Sequence, residues 1–384
     1  MARPTKANIS LSAVAGNLET VLKKTGPDTV VIPVVKADAY GHGAVPVSKK
    51  LCENGCDYLA VACIEEAIEL REAGVKARIV VLGPLREKEV NEYLEMGLIP
   101  VLSCPEDLPV LEAGIKKTKS ASIDAIFEVD TGMGRMGFMP EQMRDLEEKI
   151  RDMKALNVLG IFSHLPVSES TDEDDKEYTK RQVADFQLIA SSFKRTCGDL
   201  PLTSIANSGG IFFHPDSIMS AVRPGIMMFG VSPDKEQMEP LEVKPAMTWT
   251  TEVSQIRTLP KGACVSYGRK TVLERESRIA LLPVGYADGL KRGLPTGFEL
   301  FIRGTAAPIT GVVTMDLTMI DVTDVPGAAV GDRVLLIGRD IQKTPDGDQV
   351  SVEVKAEKHA REAGTIPYEI LTSIGPRVTR IYED

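Results

Sequence analysis

The stretch TVVIPVVKADAYGHG, Thr29–Gly43, begins with an apolar β-branched run and ends with a lysine followed by a short glycine-containing segment. A run of this kind is typical of a buried strand, so Lys36 is predicted to stand at a strand end. An ammonium group removed from water loses hydration energy, which the protein relieves by lowering the lysine pKa or by converting the amine. Schiff-base chemistry does both, because it needs a neutral amine and ends with an imine. The alternative is a lysine that extends to solvent or pairs with Asp38.

The chain around this stretch repeats one pattern from Val30 to Gly230, in which short β-branched runs alternate with amphipathic charged stretches. Such alternation indicates βα units, and eight of them close into a (β/α)8 TIM barrel, whose chemistry gathers at the C-terminal ends of the strands. The predicted strands begin near Val30, Tyr58, Arg78, Ile99, Ser122, Asn157, Leu202 and Val222. The polar residues at or just beyond these strand ends are Lys36, Arg135, His164, Ser208 and Arg223.

The composition and pattern of the sequence change after Gly230. Residues Val231 to Pro245 are rich in proline and charge and are typical of a linker, and turn signals then recur between short strands up to about Gly338. We therefore predict an α/β barrel domain over residues 1–240 and a C-terminal mostly-β domain over residues 241–384. A helix is predicted from Val352 to Gly364, with Pro367 ending any continuation.

Composition excludes several classes of protein. The 384 residues carry a formal net charge of −10, which argues against a nucleic-acid partner. No apolar run approaches the roughly 18 to 20 residues of a membrane span, and residues 1–11 lack the hydrophobic centre of a signal peptide. The six cysteines lack the paired spacing of a metal site. We expect a cytoplasmic protein with free thiols, no metal and no membrane partner.

Taken together, the motifs resemble the alanine racemase family of fold type III pyridoxal-phosphate enzymes over nearly the whole chain. The resemblance implies pyridoxal 5′-phosphate as cofactor, an amino acid as substrate, and a head-to-tail homodimer in which each partner's β domain completes the other's site. It also implies that the first strand, within residues 1–11, packs with the β domain. The motifs that carry it are VVKADAYGHG, DTGMGRMG, the SH at Ser163 and His164, ANSGG, RPGIMMFG, VSYGR, GYADG, TMD and IPYE.

The resemblance assigns two catalytic bases. Lys36 would bind the cofactor covalently and act on one face of the substrate α-carbon, and Tyr267 of the other subunit would act on the opposite face. A tyrosine with the usual pKa near 10 is a poor base at neutral pH, so positive neighbours must lower its pKa. In the family, His164 contacts both this tyrosine and Arg223. Arg223 would face the pyridine nitrogen, which stays unprotonated because a guanidinium keeps its proton.

The cofactor phosphate has an expected place in the loops after strands seven and eight, where barrels commonly bind phosphate. The resemblance assigns it to the backbone amides of Gly225 and Ile226, the hydroxyl of Ser208, and the phenols of Tyr40 and Tyr368.

Substrate binding is assigned to a second set of residues. The resemblance implies that Arg135 and the backbone at Met315 bind the substrate carboxylate, while Tyr286 and Asp316 line the entrance from the second subunit. Glu128 departs from the family, which usually has a lysine here, often carbamylated and bonded to the substrate-binding arginine. A carboxylate supplies similar charge without modification, so Glu128 is hypothesised to orient Arg135.

The expected activity is interconversion of L- and D-alanine, which would supply D-alanine for peptidoglycan. Two departures at the channel, LPVSES after His164 and Val312 in place of a usual arginine, keep a broad-specificity or serine racemase open as the alternative. More distant alternatives are a type III decarboxylase and a non-catalytic carrier of pyridoxal phosphate.

Overall fold

A barrel of parallel strands forms the N-terminal part of the computed structural model, which describes residues 3–118, 122–233 and 242–384. Six strands, β3 to β8, form one parallel sheet in chain order, and β2 pairs with β9. A parallel bridge between Val34 and Ala60 joins β2 to β3, and Arg223 N donates to Ala206 O beside β8. The predicted (β/α)8 architecture is therefore confirmed. The strands are β1 Lys6–Ser10, β2 Val30–Val31, β3 Tyr58–Val61, β4 Arg78–Val81, β5 Ile99–Leu102, β6 Ile123–Glu128, β7 Leu156–Phe162, β8 Leu202–Ser204 and β9 Ala221–Val222.

Helices cover the barrel through apolar stripes. The longest, Glu173–Cys197, starts where the Asp172 side chain accepts two backbone N–H groups, and it ends before Gly198 at φ 86°. Its buried face carries Val183, Phe186, Ala190 and Phe193 at helical spacing. The other right-handed helices are Leu11–Thr25, Ala44–Glu53, Ile64–Glu72, Val90–Met96, Asp107–Thr118, Met143–Asp152, Ser208–Phe213, Ala356–Ala363 and Pro367–Thr372. Short 3-10 helices are Glu87–Glu89, Pro140–Gln142, Pro215–Ser217, Ile226–Phe229 and Tyr267–Arg269.

The C-terminal part is rich in strands. Its largest sheet has the order β16-β15-β18-β10-β1-β20, with β19 paired to β18. Strand β1 lies antiparallel to β10 and parallel to β20, so the first segment packs within the β domain as the resemblance implies. The remaining strands are β10 Met247–Glu252, β11 Gln255–Leu259, β12 Cys264–Val265, β13 Thr271–Val272, β14 Ser277–Leu282, β15 Glu299–Ile302, β16 Thr305–Pro308, β17 Thr318–Asp321, β18 Arg333–Lys343, β19 Gln349–Val354 and β20 Thr379–Glu383.

One prediction near the C-terminus was wrong in its first bound. The predicted helix Val352–Gly364 begins only at Ala356, because residues 352–354 belong to β19 and pair with β18. Gly364 does close that helix, at φ 70°. Pro367 begins the next helix, Pro367–Thr372, where a missing N–H is tolerated in the first turn.

Residues 234–241 lie outside the described residues. The predicted linker is therefore described only at its two ends, and the domain boundary between residues 240 and 241 stays a prediction. Within the described ranges, no helix combines the length and apolar character needed to cross a membrane.

Candidate active site

A cavity of about 240 Å³ opens at the C-terminal ends of the barrel strands. Barrel loops supply most of its lining, and Tyr368 reaches it from the helix Pro367–Thr372 of the C-terminal part. The structure thus brings together every site residue that was predicted in the barrel, with one from beyond it. These residues are Lys36, Tyr40, Glu128, Arg135, His164, Ser208, Arg223, Gly225, Ile226 and Tyr368.

A left-handed helical turn follows Lys36. Four successive residues that are not glycine, Ala37 to Tyr40, have φ between 50° and 54°, a conformation that costs about 1–2 kcal/mol per residue. Local bonds hold the turn: the Asp38 side chain accepts Ala44 N at 2.7 Å, and His42 Nδ1 lies 3.1 and 3.0 Å from the carbonyls of Ala39 and Tyr40. Because carbonyls only accept, Nδ1 carries the proton of His42. The turn places Lys36 and Tyr40 in the lining of one cavity.

The environment of Lys36 favours a neutral amine. Burial lowers its pKa, the positive charge of Arg135 lowers it further, and the carboxylate of Glu66 raises it in part. A neutral amine is the form required of a nucleophile or a base. The chemistry expected of a lysine at a buried strand end therefore has an electrostatic basis here.

Arg223 is buried and bonded mainly to the backbone. Its guanidinium donates to Ser204 O at 2.7 Å and to Ser163 O, and its carbon lies 4.4 Å from the centroid of the Phe162 ring. Burial lowers the pKa of Arg223 to about 10, with Glu128 opposing this shift, so the group stays protonated at neutral pH. No carboxylate in the described part of the chain forms an ion pair with it.

His164 stays neutral in this cavity. Burial, together with the positive charges of Arg223, Arg135 and Lys36, lowers the pKa of His164 to about 3. Its Nε2 lies 3.5 Å from Nδ2 of Asn207. Arg223 acts on His164 through its charge, since it donates its hydrogen bonds to backbone carbonyls.

One corner of the cavity is rich in hydrogen-bond donors. Gly225 N donates to Ser208 Oγ at 2.9 Å, and a Cβ at Gly225 would come within 2.5 Å of the Tyr40 hydroxyl. Burial raises the pKa of both Tyr40 and Tyr368, so their phenols remain donors. Ile226 begins a 3-10 helix, and its N–H has no intrahelical acceptor. These hydroxyl and amide donors fit the phosphate of pyridoxal phosphate. The amine of Lys36 fits its aldehyde, and the guanidinium of Arg223 fits its ring nitrogen.

Glu128 is a buried carboxylate without a direct partner. It is 7% exposed, and among the described residues it forms neither an ion pair nor a side-chain hydrogen bond. Burial raises its pKa, while the charges of Arg223 and Arg135 act in the opposite direction. Glu128 and Arg135 therefore share the cavity lining but do not touch through a salt bridge.

The other predicted site residues lie outside this cavity, on loops of the C-terminal part. Tyr267 is 72% exposed and Met315 53%. Backbone bonds from Tyr286 N to Thr314 O and from Ala287 N to Met315 O, both 3.0 Å, join two of these loops. Ser266 Oγ donates to Val312 O at 2.6 Å and attaches the loop of Tyr267, while Asp316 pairs with Arg377 at 2.8 Å. The structure groups these residues with one another and not with Lys36.

Sequence reasoning missed several residues of this arrangement. Asn207 lies inside the quoted ANSGG motif and Phe162 ends β7, so both had a local signal. The bond from Ala37 to Glu66 and the ion pair of Arg377 with Asp316 had none, because the bonded groups are far apart in the sequence.

Comparison with known proteins gives one consistent result. Family models described as the N-terminal and C-terminal domains of alanine racemase match residues 9–233 and 246–382. An alanine racemase of Halothermothrix orenii is 38% identical over 385 residues, covering 100% of this chain and 97% of that protein.

Solved structures agree with the sequence matches. Alanine racemase from Bacillus anthracis with bound L-Ala-P is similar at a TM-score of 0.87 and 32% identity, covering 100% of this chain and 96% of the other. The enzyme from Bartonella henselae with covalently bound pyridoxal phosphate is similar at a TM-score of 0.85 and 31% identity, covering 99% of each chain.

Proposed function

The chain belongs to the alanine racemase family, and on that premise we propose that it interconverts L- and D-alanine with pyridoxal 5′-phosphate. The observation that carries the proposal is a lysine of lowered pKa in one cavity with a buried arginine and a cluster of hydroxyl and amide donors. The relatives named alanine racemase favour this substrate over a broad-specificity or serine racemase, and over a decarboxylase or carrier.

Residues of this chain would hold the cofactor at three points. Lys36 would bind it covalently, and Arg223 would donate to its ring nitrogen. The donor corner of Ser208, Gly225, Ile226, Tyr40 and Tyr368 would bind its phosphate. When bound, the cofactor supplies an electron sink that makes the substrate α-proton removable.

Two residues would move protons at the substrate α-carbon. Lys36 Nζ would take or return the proton on one face, since its lowered pKa favours the neutral amine. Tyr267 would serve the opposite face from a second copy of the chain, because its exposed position lies outside the cavity of its own chain. The proposal thus requires a homodimer whose loops carrying Tyr286, Met315 and Asp316 close the partner's cavity.

Arg135 would bind the substrate carboxylate, together with the backbone at Met315. Glu128 would act as a positioning residue, through its negative charge in the cavity that Arg135 lines. The two charges would act on each other through space, and solvent screens part of this interaction because Arg135 is exposed. In the cell, we place the reaction in the cytoplasm, where its product would serve peptidoglycan synthesis.

The deciding experiment measures racemisation by the purified full-length chain across the common L-amino acids, with and without added pyridoxal phosphate. We expect alanine to give the highest kcat/KM and serine to follow far behind. Carbon dioxide release, or comparable turnover of serine, would overturn the assignment.

A further inference from the structure

We propose that Glu66 is the residue that positions Lys36, by fixing the backbone beside it and by balancing its charge. The part of this inference that concerns the cofactor rests on the proposed function, whereas the backbone part does not. Glu66 lies in the first turn of the helix Ile64–Glu72, which follows β3, and β3 neighbours the segment that leads to Lys36 in the barrel.

One carboxylate spans two strand ends. Glu66 Oε1 accepts the backbone N–H of Ala37 at 2.6 Å, and Oε2 accepts that of Ala62 at 2.8 Å. Ala37 directly follows Lys36 and is the first residue of the left-handed turn, while Ala62 directly follows β3. Ala62 also lines the cavity. The two bonds therefore fix the point from which the Lys36 side chain leaves the backbone.

The same carboxylate acts on the Lys36 amine through its charge. Glu66 raises the pKa of Lys36 against burial and the nearby Arg135. Its own negative charge is favoured by the N-terminal end of its helix. The amine thereby keeps more of its proton affinity than burial and Arg135 alone would leave, which suits a group that must both accept and return a proton.

A simpler role for Glu66 would be that of a helix cap. A glutamate in the first turn often accepts a backbone N–H at the start of its own helix, and the bond from Ala62 fits this pattern. The bond from Ala37 does not, because it crosses 29 residues to another strand end and satisfies no group of the helix. The test must therefore separate effects on Ala37 and Lys36 from effects on the stability of the helix.

Three full-length variants make that separation. Glu66→Gln keeps the length of the side chain but loses the charge and one acceptor. Glu66→Asp keeps the charge but is too short to span both amides. Glu65→Gln, the matched control, removes the same charge from the same helix turn at an exposed side chain that does not touch Ala37.

The first measurement is hydrogen exchange at single-residue resolution. Exchange at Ala37 should be faster by about tenfold in Glu66→Gln and Glu66→Asp, as expected for loss of a charge-assisted bond, and unchanged in Glu65→Gln. This measurement needs neither bound cofactor nor turnover, so it stands even if the proposed function fails. Unchanged protection at Ala37 in both Glu66 variants would overturn the inference.

The second measurement is the pH titration of the absorption band of the cofactor bound through Lys36. Removing a negative neighbour lowers the proton affinity of the nitrogen, so the midpoint should move to lower pH in Glu66→Gln. It should move less in Glu66→Asp and not at all in Glu65→Gln. If Glu66 were only a helix cap, the two Glu66 variants would have lower melting temperatures and an unmoved midpoint, which would also overturn the inference.

Discussion

The barrel cavity and the exposed loops of the C-terminal part carry the two sets of predicted site residues, and they differ in how their side chains are held. In the cavity, Arg223 is 6% exposed, and burial together with the positive charge of Arg135 lowers the pKa of both Lys36 and His164. On the loops, Tyr267 is 72% exposed. On the proposed function, folding of one chain places Lys36 and its neighbours in the cavity, whereas Tyr267 would act only when a second chain covers it.

The largest expected effect comes from removing Lys36 from the barrel cavity. Lys36→Ala should lower kcat by about 10⁴-fold or more, because it removes both the covalent anchor and one base. Turnover and the visible absorption of the purified protein measure this loss. Lys50→Ala, at a surface lysine paired with Asp384, is the matched control and should leave both unchanged. Appreciable racemisation by Lys36→Ala would contradict the assignment.

The next largest effect comes from changing Tyr267 on the exposed loops. Tyr267→Phe should slow proton abstraction from one enantiomer by about 10²–10⁴-fold and from the other far less, since each base serves one face. Single-turnover exchange of the α-proton in deuterated water measures the two rates. Equal slowing for both enantiomers would show that the two faces are not served by separate residues.

The same variant tests whether Lys36 of one chain and Tyr267 of another chain form one active site. When Lys36→Ala and Tyr267→Phe chains are refolded together, half of the dimers are mixed and each holds one intact site, so about a quarter of wild-type activity should return. No recovery would mean that Tyr267 acts within its own chain or not at all.

A smaller effect concerns Glu128 within the cavity. Glu128→Gln should raise KM for alanine by about tenfold with little change in kcat, because it removes a charge that acts near Arg135. Steady-state kinetics in both directions measure the change. Glu141→Gln, at an exposed glutamate after β6, is the control. An unchanged KM would leave Glu128 as a carboxylate without a role in substrate binding.

The final prediction concerns the pH dependence of stability, to which buried histidines in both regions contribute. Burial lowers the pKa of His42 and His359 to about 4 and of His164 to about 3, whereas the unfolded chain binds these protons near pH 6.5. The unfolded state thus binds more protons below that pH. Stability should fall as the pH drops from about 6.5 towards 4, by about 1.4 kcal/mol per pH unit for each histidine.

Urea denaturation at fixed protein concentration measures this slope. His359→Gln, in the C-terminal part, should reduce the slope of the unfolding free energy against pH by about the contribution of one histidine. A free energy of unfolding that does not change over this pH range would contradict the buried neutral state of these side chains.

The sequence allowed prediction where the signal is local or repeated. Eight β-branched runs sufficed for the barrel, and polar residues at its strand ends had to meet because parallel strands share one rim. The left-handed turn at Ala37 to Tyr40 was not predictable, since two alanines and a tyrosine disfavour positive φ, and one bond at the turn, from Ala37 N to Glu66, depends on the folded chain. Residues 352–354 form a strand only because β18 lies beside them.

The first strand has a consequence for synthesis. Lys6–Ser10 pairs with Met247–Thr250 and with Thr379–Glu383, and with no other strand of the described residues. After β1, a ribosome must therefore add more than 230 residues before the first neighbour of this strand exists, and still more before the second. Until then, β1 exposes two unpaired edges, which are prone to wrong pairing in a nascent chain. The barrel can close during translation, while completion of the sheet must wait until β20 has been made.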